Sequence, residues 1–251
     1  MNVWSWFRVG LFSASCLVCI GCMDAPGRPA SGPAVPRPEQ VLDFAVLYKQ
    51  NCSGCHGENG KNGVAISLAN PVYLAVAGEA AVRQVTAQGV AGKLMPAFGI
   101  SEGGALTDQQ IDSLVHGIIE AWSRPDVLVS AHAPSYSTGA KSDPTRGQKA
   151  FSEFCAQCHG ANGNGAKLST ASNPDAVSGS IVDPSYLALV SDQNLRSTII
   201  AGRPGQGMPD WQSDIAGPGS RAMSDQEITD VVAWLSAQRT AYPGQPYASR
   251  R

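Results

Sequence analysis

The segment Cys52-Ser53-Gly54-Cys55-His56 returns 103 residues later as Cys155-Ala156-Gln157-Cys158-His159. C-x-x-C-H is the attachment sequence of a c-type haem: the two thiols bond the haem vinyl groups, and the histidine beside them is placed to bind the iron. One copy alone also fits half of a zinc site or a thiol redox pair. A closed zinc site needs four ligands, with a second close pair downstream. Between His56 and Cys155 the chain offers only His116 and His132, and after His159 it has neither Cys nor His. A redox dithiol leaves the histidine after each pair unexplained. The two motifs therefore predict two covalently bound haem c groups.

The repeat extends well past the motifs. Pro71-Val72-Tyr73-Leu74-Ala75 answers Pro184-Ser185-Tyr186-Leu187-Ala188, Arg83 answers Arg196, Gly89 answers Gly202, and Met95-Pro96 answers Met208-Pro209. These pairs share an offset of 113, so the second half carries ten extra residues after its motif, around Ser169 to Ser180. Ala105 to Ile111 answers Ala222 to Ile228. The expected organisation is a signal peptide over 1–21, a Pro-rich tether over 22–38, one haem domain over 39–123, a linker over 124–143, a second haem domain over 144–240 and a tail over 241–251.

Helix-like apolar spacing runs over Glu39 to Asn51 and Thr145 to Cys155, ahead of each motif. Thr107 and Ser224, each followed three residues later by Gln or Glu, predict capping boxes that open helices reaching about Trp122 and Arg239. Glu79 to Gln88 and Asp192 to Ala201 read as short helices, and strand-like alternation is missing. The fold class is all-α, with a few helices packed round each haem. Domains of this size are small for a free-standing core, and a covalent haem supplies the missing apolar centre.

Met95 is the methionine of the first domain, and Met208 occupies the same place in the repeat of the second. Each precedes a proline, which fixes the loop backbone. Both are candidate second axial ligands, opposite His56 and His159. Met223 aligns with Leu106 at a helix start and reads as packing. Tyr73, Tyr186 and Trp211 are candidate hydrogen-bond donors to haem propionates or core filler; Arg83 and Arg196 either pair with propionates or solvate a helix face. His116 and His132 read as ordinary residues rather than ligands.

Taken together these residues resemble class I cytochrome c domains, and the chain is similar to tandem diheme members of that family over residues 39 to 240. The resemblance implies a haem-bearing turn after an N-terminal helix, a loop methionine as second ligand and a C-terminal helix crossing the first. Gly147 and Phe151 fit the family's N-terminal helix pattern. The first domain departs from it, with Phe44 and Tyr48 at those positions. A compensating swap follows: Phe44 packs over Gly117, as Trp234 packs over Gly147.

The remaining cysteines, Cys16, Cys19 and Cys22, lie at the start of the chain. Arg8 is followed by an apolar run to Ile20, long enough for a signal-peptide core and shorter than the ~20 residues that span a bilayer. Ile20-Gly21-Cys22 resembles the end of a bacterial lipobox, with Cys22 as the lipidated residue; an ordinary signal peptide cut nearby is the alternative. Ala25 to Pro38, rich in Pro, Gly and Ala, then forms an extended spacer. The expected location is the periplasmic side of a bacterial membrane, held by a lipid anchor.

Iron held by His and Met has no open position, so its expected work is one-electron transfer between redox protein partners rather than catalysis. The chain's net charge of −2 gives no strongly basic surface and speaks against nucleic acid as a partner. The expected function is an exported diheme electron carrier. The alternatives are a fixed haem subunit of a quinol-oxidising, dehydrogenase or oxidase complex and, on weaker grounds, a diheme peroxidase.

Overall fold

An aspartate opens the first helix of each half. Asp43 Oδ1 accepts from Val46 N at 2.8 Å and starts α1, Phe44–Asn51; Asp143 Oδ1 accepts from Thr145 N at 2.7 Å and starts α5, Pro144–Phe154. Such oxygens satisfy amide groups that a helix leaves unpaired at its start. Asp43 is also why α1 begins later than the periodicity from Glu39 predicts; Pro38–Gln40 forms a separate 3-10 turn. The computed structural model describes residues 35–128, 132–168, 176–213 and 221–240. The expected signal peptide, Cys22, most of the tether and the C-terminal tail lie outside the described residues.

Each haem motif occupies one short turn, α2 (Ser53–His56) and α6 (Ala156–His159). Next comes α3, Pro71–Gln88, whose backbone breaks at Gly78 with φ 71°. The position 113 residues on is Ser191, and there the second half is openly divided into α7, Pro184–Leu189, and α8, Asp192–Ala201, with Ser191 as the N-cap of α8. The break is thus part of the repeat, and the predicted helices from Glu79 and Asp192 are its C-terminal segments. The last helix of the first half is α4, Asp108–Trp122, and that of the second is α9, Asp225–Ser236. Both open with the predicted capping boxes, from Thr107 to Gln110 and from Ser224 to Glu227. Among the described residues there are isolated bridges but no strands, and no helix is long and apolar enough to cross a membrane. Residues from Glu39 onward, both halves together, form one compact unit.

The core of each half lies where its terminal helices cross. Leu47, Tyr48, Ile111, Leu114 and Val115 are buried in the first; Phe151, Phe154, Ile228, Val231 and Leu235 are buried in the second. A Cβ built on Gly117 would run into the ring of Phe44, so Phe44 does pack over Gly117. In the second half a Cβ on Gly147 would strike the Asp230 carbonyl and lie 2.9 Å from Trp234 Cβ. The swap holds, with α9 meeting Gly147 through its backbone as well as through the tryptophan. Trp122 completes an aromatic cluster with Phe44 and Tyr48, at centroid distances of 5.8 and 5.2 Å. Phe151 and Trp234 lie 4.4 Å apart.

The aligned arginines both make ion pairs within the protein. Arg83 joins Asp112 at 2.6 Å and Asp108 at 3.3 Å, tying α3 to the start of α4. Arg196 is buried and binds Asp225, Thr229 Oγ1 at 3.0 Å and the Ser135 carbonyl at 2.9 Å. Arg83 braces α3 against α4, and Arg196 braces α8 against α9.

Two tests follow from this packing. Gly117→Trp overpacks the first domain and is expected to lower its stability by about 1–3 kcal/mol, with partial recovery in Phe44→Gly/Gly117→Trp, measured by chemical denaturation. The second concerns acid. The hydrogen-bonded Arg221 guanidinium holds the Glu227 carboxyl down at about 2, from an ordinary 4.5. A depressed carboxyl stabilises the fold above its unfolded value and loses that contribution as pH falls. The Tm difference between wild type and Glu227→Gln should therefore stay level above pH 4.5 and shrink as pH falls towards 2.

Candidate functional site

Helix hydrogen bonding places the four thiols. Cys52 ends α1 with its N–H on the Tyr48 carbonyl at 2.9 Å, and its own carbonyl accepts from Cys55 N at 3.2 Å and His56 N at 3.0 Å. Cys155 repeats this, donating to the Phe151 carbonyl at 2.8 Å and accepting from Cys158 N at 3.2 Å and His159 N at 2.9 Å. Residues three apart on a helical turn share a face, so each pair of thiols points the same way. All four are free of disulfides. Burial, with the neighbouring thiol adding to it, pushes Cys52 up to about 11 and Cys155 up to about 12. Both therefore stay protonated at neutral pH. Gly57 and Gly160, with φ of 86° and 77°, end the turns in the left-handed region and send the chain back along the motif.

The two histidines are held differently. His56 is buried, and its Nδ1 lies 2.8 Å from the Ile66 carbonyl. A carbonyl only accepts, so Nδ1 carries the proton and Nε2 keeps the lone pair that a metal takes. His159 Nδ1 is buried and has no hydrogen-bond partner among the described residues. Burial lowers the pKa of both rings, favouring the neutral form that ligates.

Both Met-Pro turns are gripped by the end of the preceding helix. Val90 N donates to the Met95 carbonyl at 2.9 Å, and Arg203 N to the Met208 carbonyl at 2.8 Å. Gly89 and Gly202 cap those helices with φ of 67° and 64°, and a Cβ on either would fall within 3 Å of the backbone of the Met-Pro turn. A side chain there would push the turn away. Met95 and Met208 are half-buried, whereas Met223 is buried in the core like Leu106. Exposed apolar side chains adjoin these turns: Leu94 precedes Met95, and Val64 precedes Ala65, whose N–H binds the Cys55 carbonyl at 2.9 Å. Apolar surface of this kind is what a porphyrin covers. Thiols three residues apart and imidazoles kept neutral by burial fit haem c in each domain, and the first adds exposed apolar side chains at Val64 and Leu94.

The other candidates separate. Tyr73 is buried beside Tyr136 of the linker; burial, with Tyr136 alongside, pushes its hydroxyl well up. Tyr186 is exposed. Trp211 is 2% exposed, with its backbone tied to Ile200 and Met223. His116 pairs with Glu120 on the surface, and His132 is exposed. The Ile66 carbonyl, the partner of His56, was not legible in the sequence, because every residue type carries the same carbonyl. Arg203 stands against Val90 in the repeat, and that mismatch was the signal that it has its own task.

Known families match both halves. Residues 39–116 match the family described as cytochrome C oxidase, cbb3-type, subunit III, and residues 144–238 match the cytochrome c family. No curated protein sequence matches the chain. Among solved structures, a reducing HAO-like protein complex of Kuenenia stuttgartiensis is 17% identical, covering 82% of this chain and 100% of that one with a TM-score of 0.46. Thiosulfate dehydrogenase from Marichromatium purpuratum is 20% identical, covering 80% of this chain and 42% of that one, with a TM-score of 0.28.

If Cys52, Cys55, Cys155 and Cys158 all bond haem, mass spectrometry of the mature protein will show two haem additions that survive acid-acetone extraction. A single addition would remove one of the two sites.

Proposed function

The chain belongs to the c-type cytochromes, with two cytochrome c domains in tandem, and we propose on that basis that it is an exported carrier of single electrons. Two such domains imply two covalently bound haem c groups. The observation that carries the proposal is the duplicated Met-Pro turn, held on the same capping glycine in both halves. With His56 and Met95 in one domain, and His159 and Met208 in the other, as axial ligands, neither iron keeps a position for substrate. Haem c held by an imidazole and a thioether supplies one-electron exchange at a fairly high potential.

The chain's own part is to keep that ligand set fixed. The Ile66 carbonyl orients His56 and raises its basicity as a ligand. Gly89 and Gly202 let the methionine turns sit close to the helix ends, and the terminal-helix crossings hold the turns that bear the thiols. Because the ligands need not move between oxidation states, little reorganisation opposes the electron's passage.

The location proposed is the outer side of a bacterial cytoplasmic membrane, through a lipid on Cys22. A specific observation favours a second reading, a fixed subunit of a larger respiratory complex: the first domain matches a family described by an oxidase subunit. Co-purification from membranes with oxidase or cytochrome b subunits would select that reading over a free carrier. A peroxidase needs one haem with an exchangeable ligand, and a methionine turn in each domain argues against it; peroxide turnover by the purified protein would reverse this.

Met95→Ala and Met208→Ala are each expected to remove the near-red Met–Fe(III) band of one haem and lower that haem's potential in a redox titration. Met223→Ala should leave both bands in place. If Met223→Ala removes the domain-two band instead, Met208 is not the ligand.

A further inference from the structure

The methionine turn of the second domain lies along the segment that follows the haem motif of the first. Asn70, 4% exposed, caps α3 with its Oδ1 and donates through Nδ2 to the carbonyls of Ala201 at 2.8 Å and Gly202 at 3.4 Å. Arg203 Nη2 donates to the Val64 and Ala65 carbonyls at 3.2 and 3.3 Å. A Cβ on Gly205 would fall 3.1 Å from Asn62 Oδ1. The two segments run antiparallel, 201–205 against 70–62, in contact at three successive points.

We propose that Arg203 is a positioning residue for electron exchange between the two domains. At its guanidinium end it grips Val64 and Ala65, and this stretch is closed on the first haem motif by two bonds, Ala65 N to the Cys55 carbonyl and His56 Nδ1 to the Ile66 carbonyl. At its backbone end Arg203 exchanges two hydrogen bonds with Met208, donating at 2.8 Å and accepting at 3.2 Å. One side chain thus links the segment that orients His56 to the turn that carries Met208, through covalent and hydrogen bonds alone. Transfer falls steeply with distance and is faster through bonds than across a gap, so fixing this registry sets the exchange rate. The step moves one electron: the centre of one domain is oxidised as that of the other is reduced, and no bond, proton or ligand changes.

The arrangement has a direction in the fold. Position 203 corresponds to Val90 in the first domain, which makes the same backbone bond to its methionine but has no polar side chain. The bond from that domain's methionine turn to the other domain, Lys93 Nζ to the Ala188 carbonyl at 2.7 Å, lands on α7 rather than beside a haem motif.

The proposal rests on His56 and Met208 being axial ligands, and the test separates the two ideas. In half-reduced holoprotein, NMR of the haem methyl resonances measures electron exchange, and its concentration-independent part is intramolecular. Arg203→Gln is expected to slow that part or abolish it while both near-red Met–Fe(III) bands remain. Arg203→Lys, which keeps the charge on a side chain without the planar guanidinium that reaches Val64 and Ala65 from one nitrogen and Gln206 from the other, is expected to give an intermediate rate. An unchanged rate in Arg203→Gln with both bands present overturns the role of Arg203. Loss of the domain-two band in Arg203→Gln overturns it too, since Arg203 would then hold the ligand instead of the domains. A wild-type protein lacking either near-red band overturns the ligand assignment itself, and the proposal with it.

Discussion

Gly117 and Gly147 set how near the terminal helices of each half can come, and the haem-bearing turns hang on that distance. The thiol at the end of α1 or α5 continues a helix whose axis is fixed by the crossing, so any change in interaxial spacing moves the motif with it. A close-packed interior accommodates one bulky group at such a contact, not two. The first half puts the ring on α1 and the glycine on α4; the second puts the glycine on α5 and meets it with the backbone and tryptophan of α9. The two crossings are filled from opposite sides. Duplicated domains can exchange the two sides of a contact in this way provided that the volume at the crossing is conserved.

Some of the differences between the halves lie where they meet the linker. Arg83 is a partly exposed strut to two aspartates, whereas Arg196 is buried and also binds the Ser135 carbonyl. The linker is gathered in by the same helix, since Gln193 donates to the Tyr136 carbonyl at 2.6 Å. On its other side Tyr136 lies against Tyr73 of the first domain. Polar groups buried at such a seam are costly if unpaired, and here they are paired across it, which favours one arrangement of the domains over a loose tether.

Local signals were legible in the sequence and relations across space were not. The capping boxes at Thr107 and Ser224, the methionine turns and the thiol spacing all operate within a few residues, and the repeat doubled each signal. The Phe44–Gly117 contact spans more than seventy residues but was still readable, because a repeat offers a second copy in which the same contact is inverted. The protein partners of Arg83 and Arg196 were not read from the sequence: their carboxylate acceptors lie on the last helix of each half. Nothing in a single sequence says which carboxylate an arginine will meet when Asp108 and Asp112 lie a full loop away. The start of α1 was missed by a few residues because apolar periodicity ran on past a capping aspartate.

The hydrogen bond beside His56 bears on the potential of its domain. A carbonyl accepting from Nδ1–H gives the imidazole partial anionic character, which makes it a stronger donor and favours oxidised iron. His56 has that acceptor in the Ile66 carbonyl at 2.8 Å, so the bond would lower the potential of an iron that His56 holds. Two separate features of the chain thus bear on the electron's passage: a hydrogen bond beside His56 that tunes one centre, and the interdomain grip proposed for Arg203, which governs how quickly the two centres exchange.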